Sequence, residues 1–320
     1  MLLKKLKPYP FDEYGYSEIR VIDDTDFACE GDDPFATCHL LLTSKFDVKA
    51  ITAANFMHDP TSAQKSYNKI NVMLEKMGLL GDVKVCHGSP AMVSETEYET
   101  SEASDYIVEE AMKDDPRPLF VLVQGAISNV AIAIKENPEI VKRMHIIWIG
   151  GQPYPHGGWE FNLSNDVIAS RIIMDSGVSL WQVTAKAYSS IRVSFQTLEE
   201  EIGGCGEIGR WLLEQLYETN RNMGIQFASR ESGPFGNGPE KHCSFANGEQ
   251  WQLGDCPVTS LMLNAQVNDR VIIGAPYIND DSTYTLRPDN PNKIAVYDNV
   301  DSQFMLRDLF AKLRYQYGNK

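Results

Sequence analysis

From Ile19 onward, short apolar runs alternate with amphipathic stretches. Residues 19–22, 48–53, 83–86, 119–123, 145–149 and 180–184 are apolar runs too short for helices and bounded by Gly, Pro, Asn or Asp, so the pattern predicts strands there. Between them Ile70, Met73, Leu74 and Met77 recur at helical spacing with Gly78 as the stop, and 105–112 and 129–136 predict shorter helices. Repeated strand, helix, strand specifies a doubly wound, mostly parallel, Rossmann-like sheet. Beyond Thr184 the alternation lapses. Helices are predicted over 195–202 and 207–222, and the Gly-rich polar segment 231–249 reads as a long mobile loop of the kind that covers active sites. A further helix starts through Pro257. Runs near Val271, Tyr284 and Ile294 predict a small C-terminal antiparallel extension, closed by an amphipathic helix over 302–315. No internal repeat appears, and residues 1–320 read as one α/β domain.

The segment 22–36, IDDTDFACEGDDPFA, changes this picture from a fold into a chemistry. It holds six carboxylates, Asp23, Asp24, Asp26, Glu30, Asp32 and Asp33, directly after the first strand. Charges so close repel, so a fold that keeps them needs hydrogen-bond donors, raised pKa values or a bound metal. Pro34 marks the first turn of the next helix, with Asp32 and Asp33 at its N-cap. The helix dipole and free amides there favour ionised carboxylates, which makes these two ligands rather than acids. Taken alone, Asp33 before Pro34 is also what a plain helix cap looks like.

Open α/β sheets bind ligands beyond the carboxyl ends of their strands. There the sequence places, besides the acidic loop, Asn55 after the second strand, residues 124–129 after the fourth, and Gly150, Gly151, Trp159, Glu160 and Asn162 after the fifth. Asp255, just before Cys256 and Pro257, repeats the pattern of an acid at a helix start. Individually, Asn55 and Asn162 also suit turns and Ser128 an N-cap, whereas Glu160 two residues from Asn162 has no evident structural need.

Composition narrows the partners. A net charge of -15, with no basic cluster after Lys4, Lys5 and Lys7, excludes a nucleic-acid polyanion but leaves uncharged nucleosides open. No apolar run approaches membrane-spanning length and the N-terminus lacks a sustained apolar stretch, so the expectation is a cytoplasmic protein without a membrane partner. The six cysteines lack CxxC spacing, which argues against zinc ribbons and disulfide frameworks.

In this order the residues resemble the nucleoside hydrolases of the inosine-uridine preferring type. Asp24-Thr25-Asp26 with Asp32 and Asp33, Ala54-Asn55, Gly125 to Asn129, Gly150-Gly151, Glu160-Phe161-Asn162 with Asp166, and Asp255 are similar to that family's motifs. The resemblance implies the nucleoside hydrolase fold and hydrolysis of ribonucleosides to free base and ribose. It implies a calcium ion (Ca2+) on Asp26, Asp33, the Ser128 carbonyl and Asp255, with Asp24 in support; oxygen-only ligands suit a hard cation. It also implies Asp26 as the base toward water, and Asp32, Asn55, Glu160, Asn162 and Asp255 around the ribose. A homodimer or homotetramer is implied as well. The family's histidine before the C-terminal acid is Gly254 here, which leaves the leaving-group donor unassigned; His156 and His242 lie in nearby loops, and Tyr154, Trp159 and Trp251 are candidates for stacking on a base. Two alternatives stand beside this reading: a family member that binds nucleoside or ribose without turnover, and a phosphatase of the haloacid dehalogenase type.

Overall fold

The computed structural model describes residues 3, 5–15, 18–229, 248–264 and 270–318. Segment 231–247, most of the expected covering loop, and His242 lie outside them.

The chain alternates through β1 (Ile19–Thr25), α1 (Asp33–Leu41), β2 (Phe46–Ala53), α2 (Ser62–Lys76), β3 (Val85–Cys86), α3 (Glu102–Met112), β4 (Leu119–Val123), α4 (Ser128–Glu136) and β5 (His145–Ile149). Then come α5 (Phe161–Asn165), α6 (Val167–Ser176), β6 (Ser179–Val183), α7 (Ala185–Tyr188), β7 (Arg192–Ser194), α8 (Phe195–Ile202) and α9 (Gly206–Ser229). The remainder is β8 (Gln250–Gln252), α10 (Pro257–Asn264), β9 (Val271–Gly274), β10 (Tyr277–Ile278), β11 (Tyr284–Thr285), β12 (Lys293–Tyr297) and α11 (Ser302–Tyr317).

Among the described residues the main sheet has eight strands in the order β3-β2-β1-β4-β5-β6-β12-β9. Every pairing from β3 to β12 is parallel, and only β9 joins antiparallel, at the edge. The C-terminal extension is therefore divided. The run at Ile294 pairs parallel with β6 and belongs to the main sheet, while β10 and β11 form a separate antiparallel ribbon.

Both faces of the sheet are covered, which is why β4 and β5 read as continuous apolar runs. Consecutive side chains enter opposite cores. Val21, Leu122 and Ile147 pack with Leu40 of α1, Ile70 of α2, Leu212 of α9 and Leu309 of α11. Ile22, Val121 and Trp148 pack with Ile107 of α3, Ile132 of α4 and Ile173 of α6. The strand order reverses direction at β1, which lies between β2 and β4, so the crevice at the carboxyl ends of β1 and β4 is the topological switch point. Among the described residues no helix is long and apolar enough to cross a membrane.

Candidate active site

β1 runs three residues further than the apolar pattern indicates, so Asp23 and Asp24 lie inside the strand and are fully buried. Strand alternation sends them to opposite faces. Asp23 accepts from the Thr37 hydroxyl of α1 at 2.7 Å and from the Gln124 amide. Asp24 Oδ1 accepts from Thr52 at 2.6 Å and from Asn129 of α4 at 2.8 Å, while its Oδ2 has no partner. Burial pushes Asp23 up to about 7, with the charges of Asp33 and Asp24 adding to it. Burial likewise pushes Asp24 up to about 6, against the pull of its Thr52 and Asn129 donors. These two acids thus clamp β1 to helices on both of its faces.

The loop after β1 turns back on itself, the Cys29 N–H donating to the Asp26 carbonyl at 2.7 Å, and α1 begins with Asp32 as N-cap and Pro34 in the first turn. Asp32 does not cap the helix with its side chain. Its Oδ2 instead accepts from the Gly254 N–H at 2.9 Å, 222 residues away. Asp33 accepts from the Thr25 hydroxyl at 2.5 Å, and its carboxyl group meets that of Asp26 within hydrogen-bonding reach. Asp255 reaches the same place because the antiparallel ribbon of β7 and β8 pairs Val193 with Trp251, and Leu253 N–H then donates to the Ile191 carbonyl at 2.9 Å. Carboxylate oxygens of Asp32, Asp33 and Asp255 lie within 4.8 Å of one another, all buried.

Burial and like charge oppose the pull of the helix on Asp32 and Asp33. Burial, then the neighbouring carboxylates, raise Asp26, Asp32 and Asp255 well above the usual carboxylate range, and burial raises Asp33 as well. Desolvation and mutual repulsion outweigh a helix dipole, which is worth about 0.3–1 kcal/mol at an exposed end. Glu30, partly exposed, is pushed up to about 7 by burial and by Asp33. Lys69 of α2 donates to the Glu30 carbonyl at 3.2 Å and favours ionised Asp33. It is a cation that the sequence pattern does not single out.

The other half of the site forms at β2, β4 and β5. Ala54 N–H donates to the Thr25 carbonyl at 2.8 Å, which brings Asn55 to the end of β1. Asn55 Nδ2 donates to the Ser89 carbonyl at 3.1 Å and to Ser128 Oγ at 2.9 Å, and its buried Oδ1 has no partner. Ser128 is the first residue of α4, with Ile127 as the N-cap; its hydroxyl donates to Asp166 at 2.6 Å. Asn162 Nδ2 ties the ends of β4 and β5 together through the carbonyls of Gln124 and Ile149 at 3.1 and 3.0 Å. Glu160 has a structural task after all. It is the N-cap of α5, accepting from the Leu163 N–H at 2.9 Å, and it also accepts from the Gly151 N–H at 2.6 Å. Gly151 adopts φ +83, and a Cβ there would meet the Tyr284 hydroxyl at 2.3 Å, so only glycine makes this turn.

Of the aromatic candidates, Trp251 is a core residue of β8 and Tyr154 donates to Gln182 at 2.8 Å while packing on Tyr284. Trp159 remains 55% exposed beside Glu160, with its indole available to a ligand. His156 is exposed and its carbonyl accepts from Tyr284 N–H. The residue missed in the sequence is Tyr188, at the end of α7, whose hydroxyl donates to Glu160 at 2.8 Å. The strand-end rule that finds Asn55 and Glu160 reaches Tyr188 when extended to β6.

The donor set suits a hard divalent cation. Asp32, Asp33 and Asp255 offer oxygen only, they are converged and buried, and their repulsion is relieved by a positive charge. Asp26 stands beside them through Asp33, and Gly125 fits closely against it, since a Cβ on that glycine would lie 2.8 Å from Asp26 Cγ.

The solved structure of a plant nucleoside hydrolase overlays with a TM-score of 0.71 at 17% identity, covering 92% of this chain and 98% of that one. A purine-preferring ribonucleoside hydrolase from Gardnerella vaginalis gives a TM-score of 0.71 at 16% identity over 92% and 98%. By sequence the chain is 24% identical over 169 residues to the pyrimidine-specific ribonucleoside hydrolase RihA of Citrobacter koseri, 46% of this chain and 54% of that protein. The chain thus spans about half the length of the curated relatives it matches first. Residues 21–242 match the family described as inosine-uridine preferring nucleoside hydrolase, a span that takes in most of β1, the acidic loop and Glu160. This chain, with its switch-point acids on a parallel sheet, belongs to the inosine-uridine preferring nucleoside hydrolase family.

Proposed function

We propose that this protein hydrolyses the N-glycosidic bond of ribonucleosides to free base and ribose, with calcium as its metal. The observation that carries the reading is the convergence of Asp32, Asp33 and Asp255, with Asp26 beside them, from loops 222 residues apart in sequence. Asp26, Asp33, Asp255 and the Ser128 carbonyl would hold the calcium ion, which would supply Lewis acidity toward water and favour the ionised forms of these carboxylates. Asp26, in its ionised form, takes the proton of the attacking water. Asp32, Asn55, Asn162 and Asp255 orient the ribose, with Glu160 acting through the groups it holds, and the surrounding carboxylates favour the positive charge that develops on the sugar as the bond to the base breaks. Asn55 Oδ1, buried without a partner, is a free acceptor suited to a sugar hydroxyl. The phosphatase alternative has no use for Asp32 and Asp33, which gather against Asp255.

A second reading, binding without turnover, is favoured by Gly254, which presents no side chain to a leaving base and whose N–H is taken by Asp32. Purified protein with calcium, offered purine, pyrimidine and nicotinamide ribosides, separates the two. Release of ribose that is abolished by Asp26→Ala supports hydrolysis; ribose or nucleoside binding without release supports the second reading; neither would sink both.

A further inference from the structure

The Glu160 carboxylate is saturated with donors. Oε2 accepts from the Gly151 N–H at 2.6 Å and the Leu163 N–H at 2.9 Å, and Oε1 accepts from the Asn162 N–H at 3.3 Å and the Tyr188 hydroxyl at 2.8 Å. A carboxylate offers about four lone-pair positions, so no acceptor position is left on Glu160 for an incoming hydroxyl. Three of the four donors are backbone groups, fixed by the Gly151 turn and the first turn of α5. Tyr188 is the one side chain among them, and a phenol that donates its single hydrogen keeps acceptor capacity on its oxygen. Donation to a carboxylate polarises that oxygen and strengthens it as an acceptor.

Tyr188 is also placed to meet a ligand. It is partly exposed, and its phenol, bonded to Glu160, also lies within the electrostatic reach of Asp255 and Glu30. A Cβ on Gly254 would lie 3.3 Å from Tyr188 Cδ2, 3.1 Å from Gln252 Nε2 and 3.4 Å from Asp32 Oδ2. Gly254 thus fills the narrow space between the phenol ring and an acid of the cluster, and a larger residue there would press on the ring. Burial and the nearby carboxylates raise the Tyr188 pKa, so the phenol stays neutral and serves as a hydrogen-bonding group.

We propose that Tyr188 is a specificity-determining residue: its hydroxyl, held by Glu160, accepts a hydrogen bond from a ribose hydroxyl of the substrate, and glycine at 254 admits its ring. The proposal rests on the N-ribohydrolase reading above. It assigns to Tyr188 a direct contact with the sugar and leaves Glu160 as the group that orients Tyr188.

The test compares wild type with Tyr188→Phe in the full chain with calcium. The substrates are uridine and inosine and their 2′-, 3′- and 5′-deoxy forms, and calorimetric binding of ribose is a readout that needs no turnover. Loss of one hydrogen bond of this kind lowers kcat/KM on the parent nucleosides by about tenfold. The signature is in the pattern: for one deoxy form, the one lacking the partner hydroxyl, the same substitution costs less than about threefold, and ribose binding weakens as the parent kcat/KM does. An equal loss on the parent and all three deoxy forms, or no loss on any, overturns the assignment of Tyr188 while leaving hydrolysis in place. A wild-type chain that neither cleaves nor binds any of these compounds overturns the underlying reading and this inference together.

Discussion

Gly125→Ala is a test in which geometry alone sets the outcome. The added Cβ would lie 2.8 Å from both Cβ and Cγ of Asp26 and 2.9 Å from its Oδ1. Carbon contacts settle near about 3.5–4.0 Å, so one partner must yield by roughly 1 Å. Gly125 is not free to yield, because its carbonyl accepts from the Trp148 indole at 3.1 Å and that ring is fully buried. Asp26 must therefore move, away from the position in which it meets Asp33. A misplacement of about 1 Å in a reacting group costs on the order of 100-fold in rate, while overpacking costs about 1–3 kcal/mol in stability. The assay is kcat/KM for ribose release, run beside a urea melt and a calcium-induced shift in Tm. Gly204→Ala is the control, since nothing lies within 4 Å of its added Cβ. A Gly125→Ala protein that keeps more than about half of the wild-type kcat/KM would refute the tight fit of Asp26 against this turn.

Calcium at about 100 times its Kd should stabilise the protein by about 2.7 kcal/mol through mass action, read as a rise in Tm over the chelated form. Asp255→Ala should abolish that rise, and a rise that persists would remove Asp255 from the metal. Away from the site, His39 is buried against Asp308 at 2.7 Å, and desolvation lowers it to about 4. A lowered histidine keeps its neutral form in the fold, so its contribution is fully present above its ordinary value of 6.5 and is lost as pH falls toward about 4. Urea melts in chelator should lose about 3 kcal/mol over that window from this group, and His39→Gln should flatten the slope; an unchanged slope would refute the assignment. Glu160→Gln places an amide N–H2 among three backbone N–H donors and a phenol, and should cost about 1–3 kcal/mol by chemical denaturation. A loss below about 0.5 kcal/mol would mean that the four donors find other partners.

Much of the fold is local information. Apolar runs of strand length between amphipathic segments specify a parallel α/β sheet because strand and helix periods are written residue by residue, and Asn55, Glu160 and Asn162 follow from the rule that ligands sit beyond strand ends. Local pattern misplaces the end of β1 at Ile22, since a carboxylate reads as a loop residue unless its partners are known. Thr37, Thr52 and Asn129, from three other elements, and Gln124, from the loop after β4, let Asp23 and Asp24 remain inside the strand. Trp251 and Trp159 look alike in the sequence, yet one is in the core and the other is exposed, because only the packing of β8 against its neighbours distinguishes them.

The sequence by itself determined the sheet, its order of chemistry-bearing ends and the density of acids after β1. Tertiary structure decided which acids meet: Asp32 joins Asp33 and Asp255 because the ribbon of β7 and β8 delivers the Gly254 N–H to its carboxylate. It also decided the electrostatics they meet, since burial and mutual repulsion oppose the helix dipole that the sequence advertises. The pairing of Tyr188 with Glu160 across Gly254 belongs to the same class. Distances between remote segments are set by how the helices pack on the sheet, and no periodicity in the chain encodes them.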